Sequence, residues 1–386
     1  MAGGTGGHIF PGLAVAEALR EQGWRVHWLG GPASMEQRLV PPRGFAFEQI
    51  DFSGVRGKGV LRLALLPMQL LKAFWQSIQV IRRVKPDVVV GLGGYITFPA
   101  GMMAVLLGKP LILHEQNSVA GMANKVLAGV ADRIFTTFPN ALPKGVWIGN
   151  PLRKEFLQQA PPQERLSERV GVKKLLVVGG SLGAKALNET VPQALALIPE
   201  HKRPGVIHQG GEKQMDGLHA SYEASGIKAE LTPFIADTAS AFAQADLVIC
   251  RAGASTVSEL AAVGAPAILV PFPHAVDDHQ TRNAQFLSLQ GAAILLPQQE
   301  MTAQKLAQLL QNSEHSAHIS IAQKAYSLRK TDATEQVTKA CEELTGKNHE
   351  ARDSSYSFRG HWRRGHERHR RGLAELGLYD LRFGCE

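Results

Sequence analysis

Cysteine is scarce in this chain: three in 386 residues, Cys250, Cys341 and Cys385, with no CxxC spacing. That number cannot build a disulfide framework or a structural zinc site, and it fits a reducing compartment. Long apolar runs are missing too. No stretch approaches ~18 uncharged apolar residues, so no transmembrane helix is expected, and no basic-then-apolar secretory signal opens the chain. Asp-x-Asp occurs nowhere, which argues against a metal clamp on a nucleotide diphosphate. GxGxxG is absent, as is GxxxxGK followed by Ser or Thr, which removes the dinucleotide fingerprint and the P-loop. The segment His274–His279 (HAVDDH) matches no zinc spacing and reads as a polar loop reaching a ligand. Neither a metal nor a cofactor is expected.

Hydrophobic residues make up 44% and charged residues 20%, which excludes wholesale disorder. The length suits two domains. Apolar β-branched runs alternate with amphipathic helices throughout, the pattern of parallel sheets covered on both faces. WRVHWLGG, PDVVVGLGGY, LILHEQN and DRIFTTF read as strands of a first half; KKLLVVGG, GVIHQGG, ADLVIC and APAILVPFP read as strands of a second. The expected division is residues 1–152 and 153–330, with a hinge near 148–156 and residues 331–346 crossing back onto the first half. Helices are expected from about Phe10 and over 60–84, the latter with Leu71, Phe74, Ile78 and Ile81 on one stripe.

Both ends stand apart. The chain opens directly on MAGGTGGHIFPG. A glycine loop of that kind follows a buried strand, so either the true start lies upstream or the first strand is missing. From Lys347 to Glu386, nine Lys/Arg, six Asp/Glu and four His crowd 40 residues with almost no periodicity. A basic tail can bind nucleic acid or anionic lipid. The abrupt change after Gly346 reads instead as a disordered or non-native extension, and no nucleic-acid partner is expected.

Three glycine loops recur at strand ends: Gly3–His8, Gly91–Tyr95 and Gly179–Gly183. Glycine lets the backbone approach a ligand closely, and N–H groups at a helix N-terminus then cradle an anion. A pyrophosphate is the obvious guest. His8 ends the first loop; a neutral imidazole beside a bound electrophile suits a general base. In the segment Arg251–Glu259 (RAGASTVSE), Ser255 and Thr256 can cap a helix and present N–H groups to phosphate. Glu259 could accept from both ribose hydroxyls, or close a capping box with Thr256.

GGTGGHIFPGLAVAEAL, GLGGYITFPAG, HEQNSVAGMANK, GNPLR, VVGGSLGAKALN and RAGASTVSELAAVGAPAILVPFP, followed three residues on by DDHQTRNA, closely resemble the bacterial MurG family over residues 1–345. The resemblance implies an α/β GT-B glycosyltransferase fold, two Rossmann-like domains with parallel sheets separated by a deep cleft. It implies inverting transfer of N-acetylglucosamine from UDP-N-acetylglucosamine to the C4 hydroxyl of lipid I (undecaprenyl-pyrophosphoryl-muramyl-pentapeptide), giving lipid II for peptidoglycan and so for cell shape and division. Thr5, Gly6 and Gly7 match the loop reaching donor sugar and acceptor pyrophosphate, and His8 the histidine proposed in catalysis, with Glu115 in reserve as the base. Asn117 and Gln280 match donor-sugar contacts; Arg153 and Ser181 match nucleotide contacts. Ile235 matches the position whose backbone reads uracil. Ala254, Ser255, Thr256, Val257, Ser258 and Glu259 match the uridine diphosphate segment, Glu259 on the ribose. Peripheral association with the cytoplasmic face of the inner membrane is also implied. Leu70, Leu71, Phe74 and Trp75, set among Arg56, Lys58, Arg62, Lys72, Arg82, Arg83 and Lys85, suit an anionic membrane surface, with Trp75 facing lipid. The alternatives are another GT-B lipid glycosyltransferase, such as one acting on diacylglycerol, or an inactive truncated product.

Overall fold

The computed structural model describes residues 1–52, 66–167, 169, 174–180, 183–273, 275–312 and 314–346. Ser181, His274, the basic residues Arg56, Lys58 and Arg62, and the tail from 347 lie outside the described residues.

The first half contains β1 (His27–Gly30), β2 (Ala46–Gln49), β3 (Val89–Gly91), β4 (Leu111–Glu115), β5 (Arg133–Thr136) and β6 (Val146–Trp147). The second contains β7 (Lys174–Val178), β8 (Gly205–Gln209), β9 (Glu230–Thr232), β10 (Leu247–Cys250), β11 (Ala267–Leu269) and β12 (Ile294–Leu295). All pair in parallel. The second sheet runs β12-β11-β10-β7-β8-β9; the first half divides into β1-β2 and β3-β4-β5-β6. Strands β7 (KLLVV) and β10 (LVIC) are apolar on both faces because helices cover both: Leu175, Val177, Leu247 and Ile249 pack into one cluster, Leu176, Val248 and Cys250 into the other. The chain winds outward from β7 through β8 to β9, then returns to β10 and winds the other way. The switch point therefore lies between the carboxyl ends of β7 and β10, where open α/β sheets bind ligands.

The helices that matter for the site are α1 (Gly6–Glu21), α2 (Leu66–Val84), α3 (Thr97–Leu106), α4 (Ala254–Val263), α5 (His279–Ser288) and α6 (Ala333–Thr345). Helix α6 packs on α1: Ala333, Val337 and Cys341 share a buried cluster with Ile9 and Leu13. Helix α1 starts at Gly6, not near Phe10, so His8 lies inside its first turn and Pro11 inside its body. Glycine and proline are poor helix formers; the packing of Ile9, Leu13 and Ala16 overrides them. In α2 the inner face is Ala73, Ser77 and Ile81, with Leu70 and Phe74 half-buried against the core. Leu71, expected on one stripe with Phe74, Ile78 and Ile81, stands apart from them at 67% exposed.

Candidate active site

The glycine loops of the first half are locked together by a buried carboxylate and two backbone approaches. Glu36, fully buried, accepts the N–H groups of Gly31 at 3.1 Å and Gly4 at 3.2 Å. The Gly91–Tyr95 loop crosses so close that a Cβ on Gly94 would lie 2.3 Å from the Gly3 carbonyl oxygen, and one on Gly93 2.7 Å from His8 Nδ1. Both take positive φ, +88° and +91°. No side chain is tolerated at either position, for reasons of both space and conformation.

A chain of hydrogen bonds fixes the His8 ring. His114 is buried, and burial lowers its pKa to about 4, so it is neutral near pH 7. Its Nε2 lies 2.8 Å from the Gly149 carbonyl oxygen. A carbonyl only accepts, so the one ring proton of His114 sits on Nε2 and its Nδ1 is an acceptor. Gln116 Nε2 donates to that Nδ1 at 3.1 Å. The Gln116 amide is thereby oriented with Oε1 toward His8, whose Nδ1 lies 2.9 Å away and must carry the hydrogen. In its neutral form His8 is left with a bare lone pair on Nε2. The sequence motif HEQN pointed to Glu115 and Asn117, but the residues between and before them set the tautomer.

Glu115, the reserve candidate base, is held in the turn after β4. It is buried, and its oxygens accept from the N–H groups of Asn117 at 2.9 Å and Gly121 at 3.2 Å and from Asn124 Nδ2 at 2.9 Å. Three donors thus bind it into the turn after β4. Asn117 is half-buried at the cleft, its Oδ1 3.4 Å from Asn283 Nδ2. Asn283, fully buried in α5, also accepts from Ser118 N and Ser118 Oγ at 2.9 and 2.8 Å. One side chain of the second half therefore holds the Asn117 loop of the first.

Helix α4 follows β10 through Arg251–Gly253, and Gly253 is its N-cap. Ser255 and Thr256 are inside the first turn, so the expected caps and capping box do not form. Ala254 and Val257 point into the core, and Ser258 Oγ donates back to Ala254 O at 2.9 Å. Ser255 and Glu259 of this segment line the cleft, and Thr256 is half-buried. Ser255 Oγ lies 3.4 Å from the Gly7 carbonyl and 3.4 Å from Asn150 Nδ2. The Gly7 carbonyl is available because the residue four on is Pro11, which has no N–H to give it. The N-termini of α1 and α4 thus meet across the cleft, and helix N-termini attract negative charge.

Beside this meeting point Arg153, Glu259, Phe10, Asn150 and Ser255 line one crevice. The Arg153 guanidinium stacks 5.3 Å over Phe10 and 4.9 Å over Phe156. Its Nε is buried and has no acceptor among the described residues. Burial pushes the Glu259 carboxyl up to about 7, with the Arg153 charge opposing. Gln280, at the start of α5, accepts the Phe272 N–H at 2.9 Å. Ile235 is half-buried, its carbonyl 3.3 Å from Thr238 Oγ1. Among the described residues no cluster of His, Cys, Asp or Glu could hold a metal ion. Glu36, His114, Gln116, Asn150 and Asn283 escaped sequence reading; their partners lie too far off in the chain for any local pattern to show.

Residues 1–136 match the glycosyltransferase family 28 N-terminal domain, and residues 174–344 match the glycosyltransferase family 28 C-terminal domain. The UDP-N-acetylglucosamine--N-acetylmuramyl-(pentapeptide) pyrophosphoryl-undecaprenol N-acetylglucosamine transferase of Paracidovorax citrulli is 68% identical over 345 residues, covering 89% of this chain and 97% of that one. Its namesake from Polaromonas sp. strain JS666 is 70% identical over 349 residues, covering 89% and 90%. Among solved structures, Acinetobacter baumannii MurG superposes with a TM-score of 0.76 at 40% identity, covering 89% of this chain and 97% of that one. The calicheamicin glycosyltransferase CalG4 superposes at 0.60 with 15% identity, covering 89% and 97%, a likeness of fold alone.

Proposed function

The chain belongs to glycosyltransferase family 28, and on that premise we infer that it moves N-acetylglucosamine from UDP-N-acetylglucosamine to the C4 hydroxyl of lipid I, forming lipid II in peptidoglycan synthesis. It is a hexosyltransferase with the two-domain α/β GT-B fold. The observation that carries the reading onto this chain's own residues is the meeting of α1 and α4 at the Ser255–Gly7 contact, 3.4 Å across the cleft. Two diphosphates, one on each substrate, supply the negative charge that this arrangement calls for.

The residue roles in this reading are those the family resemblance implies. The second domain takes the donor: first-turn N–H groups of α4 and the Ser255 hydroxyl face its diphosphate, Glu259 the ribose, the Ile235 backbone the uracil, and Arg153 Nε offers a buried donor to the nucleotide. Asn117 and Gln280 meet the sugar. The first domain takes the acceptor, with its pyrophosphate on Thr5, Gly6 and Gly7. The acceptor hydroxyl attacks the anomeric carbon in line with the departing diphosphate. Its proton passes to His8 Nε2, the new carbon–oxygen bond forms, and the electron pair of the breaking bond stays on the diphosphate. Configuration inverts. Helix ends already fixed where that charge grows lower the barrier without reorganisation. The test is transfer of labelled N-acetylglucosamine to lipid I, with diacylglycerol as the competing acceptor. Labelled lipid II is the expected product; label on diacylglycerol alone would reassign the acceptor.

No helix among the described residues is long and apolar enough to cross a membrane, and the acceptor is a lipid. Peripheral binding to the cytoplasmic face of the inner membrane through α2 meets this need. Met68, Leu71 and Trp75, at i, i+3 and i+7, are 70%, 67% and 59% exposed. They form one outward apolar stripe, with Lys72 and Arg82 beside it. Leu70 and Phe74 pack inward, so the lipid-facing set is Leu71 and Trp75, with Met68 added. Removing a buried aromatic from a lipid interface forfeits roughly 1.5–3 kcal/mol. Trp75→Glu should therefore weaken sedimentation with phosphatidylglycerol vesicles by about tenfold or more, with UDP binding intact. Unchanged vesicle binding would remove α2 from the interface.

A further inference from the structure

Gln209 ends β8, and its buried side chain spends every polar group on the two loops beside it. The main chain here is held in the sheet on both sides. Gly179 N donates to the Gln209 carbonyl at 3.2 Å, and Gly210 N to the Thr232 carbonyl at 3.1 Å. The side-chain Oε1 accepts the Gly180 N–H at 3.2 Å. Its Nε2 donates to the Gly180 carbonyl at 3.0 Å and to the Pro233 carbonyl at 3.3 Å. The orientation of the amide is forced, because two carbonyl oxygens need hydrogens and one N–H needs an acceptor. One amide therefore joins the glycine loop after β7 to the segment after β9, two strands that are not neighbours in the sheet.

Pro233 opens a run of three pinned carbonyls. Gln209 holds the first, Thr232 Oγ1 donates to the Phe234 carbonyl at 2.8 Å, and Thr238 Oγ1 to the Ile235 carbonyl at 3.3 Å. The two threonines lie within three residues of the carbonyls they hold, so they shape the turn locally. Gln209 reaches 24 residues forward to Pro233 and 29 back to Gly180, and so ties the turn to another part of the site. The Ile235 N–H finds no acceptor among the described residues.

We infer that Gln209 is a positioning residue for nucleotide selectivity, an inference that rests on the uridine diphosphate donor proposed above. It fixes the distance between the Gly179–Gly180 backbone and the backbone at Ile235, so that one frame receives both ends of the nucleotide. Uracil presents an N–H at N3 beside a carbonyl oxygen at C4; cytosine presents a bare N3 beside an amino group. A backbone N–H and carbonyl match the first pair and oppose the second, provided their segment cannot shift. Without the Gln209 amide, the Pro233 carbonyl and both polar groups of Gly180 lose a partner. The segment is then released from the loop, and the discrimination goes with it. Gln209 acts through these backbones and touches no reacting atom.

Calorimetric binding of UDP and CDP to the full chain tests this for the wild type, Gln209→Met and Gln209→Glu. The wild type should prefer UDP. Gln209→Met fills similar space with no hydrogen bond to give. It should weaken UDP binding by about 10–50-fold and CDP binding by less than about threefold, so that the preference collapses. Gln209→Glu sets a carboxylate against two carbonyls and should collapse it too. Turnover of Gln209→Met at saturating UDP-N-acetylglucosamine should change by less than about threefold, the loss falling on KM. Leu218→Ala, a truncation in the neighbouring core, controls for stability: it should lower the melting temperature and leave the UDP/CDP ratio alone. A wild-type ratio in Gln209→Met overturns the inference, and so does an equal collapse in Leu218→Ala. Should Gln209→Met prove insoluble, Gln209→Glu decides by the same ratio. A wild type that binds UDP no better than CDP would bring down the donor assignment itself, and this inference with it.

Discussion

Replacing His8 with alanine should lower turnover of N-acetylglucosamine transfer by about 10²–10⁴-fold, the range for loss of a positioned general base. UDP-N-acetylglucosamine affinity should barely move, because the contacts proposed for the donor nucleotide lie outside α1. Single-turnover kinetics with saturating donor, set beside a direct UDP-binding titration, separate the two. The prediction rests on a proton count. His114 holds its hydrogen on Nε2 against Gly149, Gln116 is oriented by His114, and the Gln116 oxygen then requires a hydrogen on His8 Nδ1. Gln116→Leu, which cannot pass on that orientation, should give a smaller loss in turnover, and nitrogen-15 shifts should show the His8 ring drifting toward its other tautomer. A structural role for Gln116 alone would leave the tautomer unchanged. Near wild-type turnover in His8→Ala would place the base elsewhere, and Glu115, bound by three donors, is poorly placed to take over.

Much of this architecture could be read from residue order, and the parts that could not share a physical reason. Fully apolar strands such as LVIC followed by a glycine turn announce a buried parallel strand and its ligand-facing end. The three loops announced themselves because Gly93 and Gly94 occupy conformations and spaces closed to other residues. Local rules misled where tertiary packing overruled them. Gly6 and Gly7 looked like loop yet form helix, since Ile9 and Leu13 bury against α6. Thr256–Glu259 has capping-box spacing, but the chain enters α4 three residues earlier, at Gly253. The tautomer relay joins residues 108 apart and the Asn283 clamp residues 165 apart. No periodicity links such positions; only the closing of the two halves does. In α2 the sequence singled out Trp75 as the residue facing away from the core, but it left Phe74, packed on Phe98 with centroids 6.1 Å apart, in the membrane-contact set.

Glu259→Gln should weaken donor binding by about 10–100-fold, the cost of replacing a charged acceptor serving two hydroxyls. It should do so in a pH-dependent way. Burial holds the Glu259 carboxyl up at about 7, so the free enzyme carries a mixture of acid and carboxylate near neutrality. In the proposed role the carboxylate would accept from both ribose hydroxyls, and the acid would do this less well. Donor affinity of the wild type should therefore rise as pH passes upward through about 7, and in Glu259→Gln that rise should vanish. Stability should move the opposite way. A carboxyl whose folded value lies above its unfolded one keeps more protons folded than unfolded between the two. Its contribution to stability is thus full at low pH and is lost as pH climbs toward 7. Glutamine has no proton to lose, so the unliganded variant should melt above the wild type at pH 8 and gain less from added UDP. Thermal melts with and without UDP at pH 6 and pH 8 read both trends in one experiment. A variant that binds UDP as tightly as the wild type at pH 8 would detach Glu259 from the ribose. One that melts lower at pH 8 without UDP would show that the Glu259 carboxylate stabilises the fold rather than costing it stability.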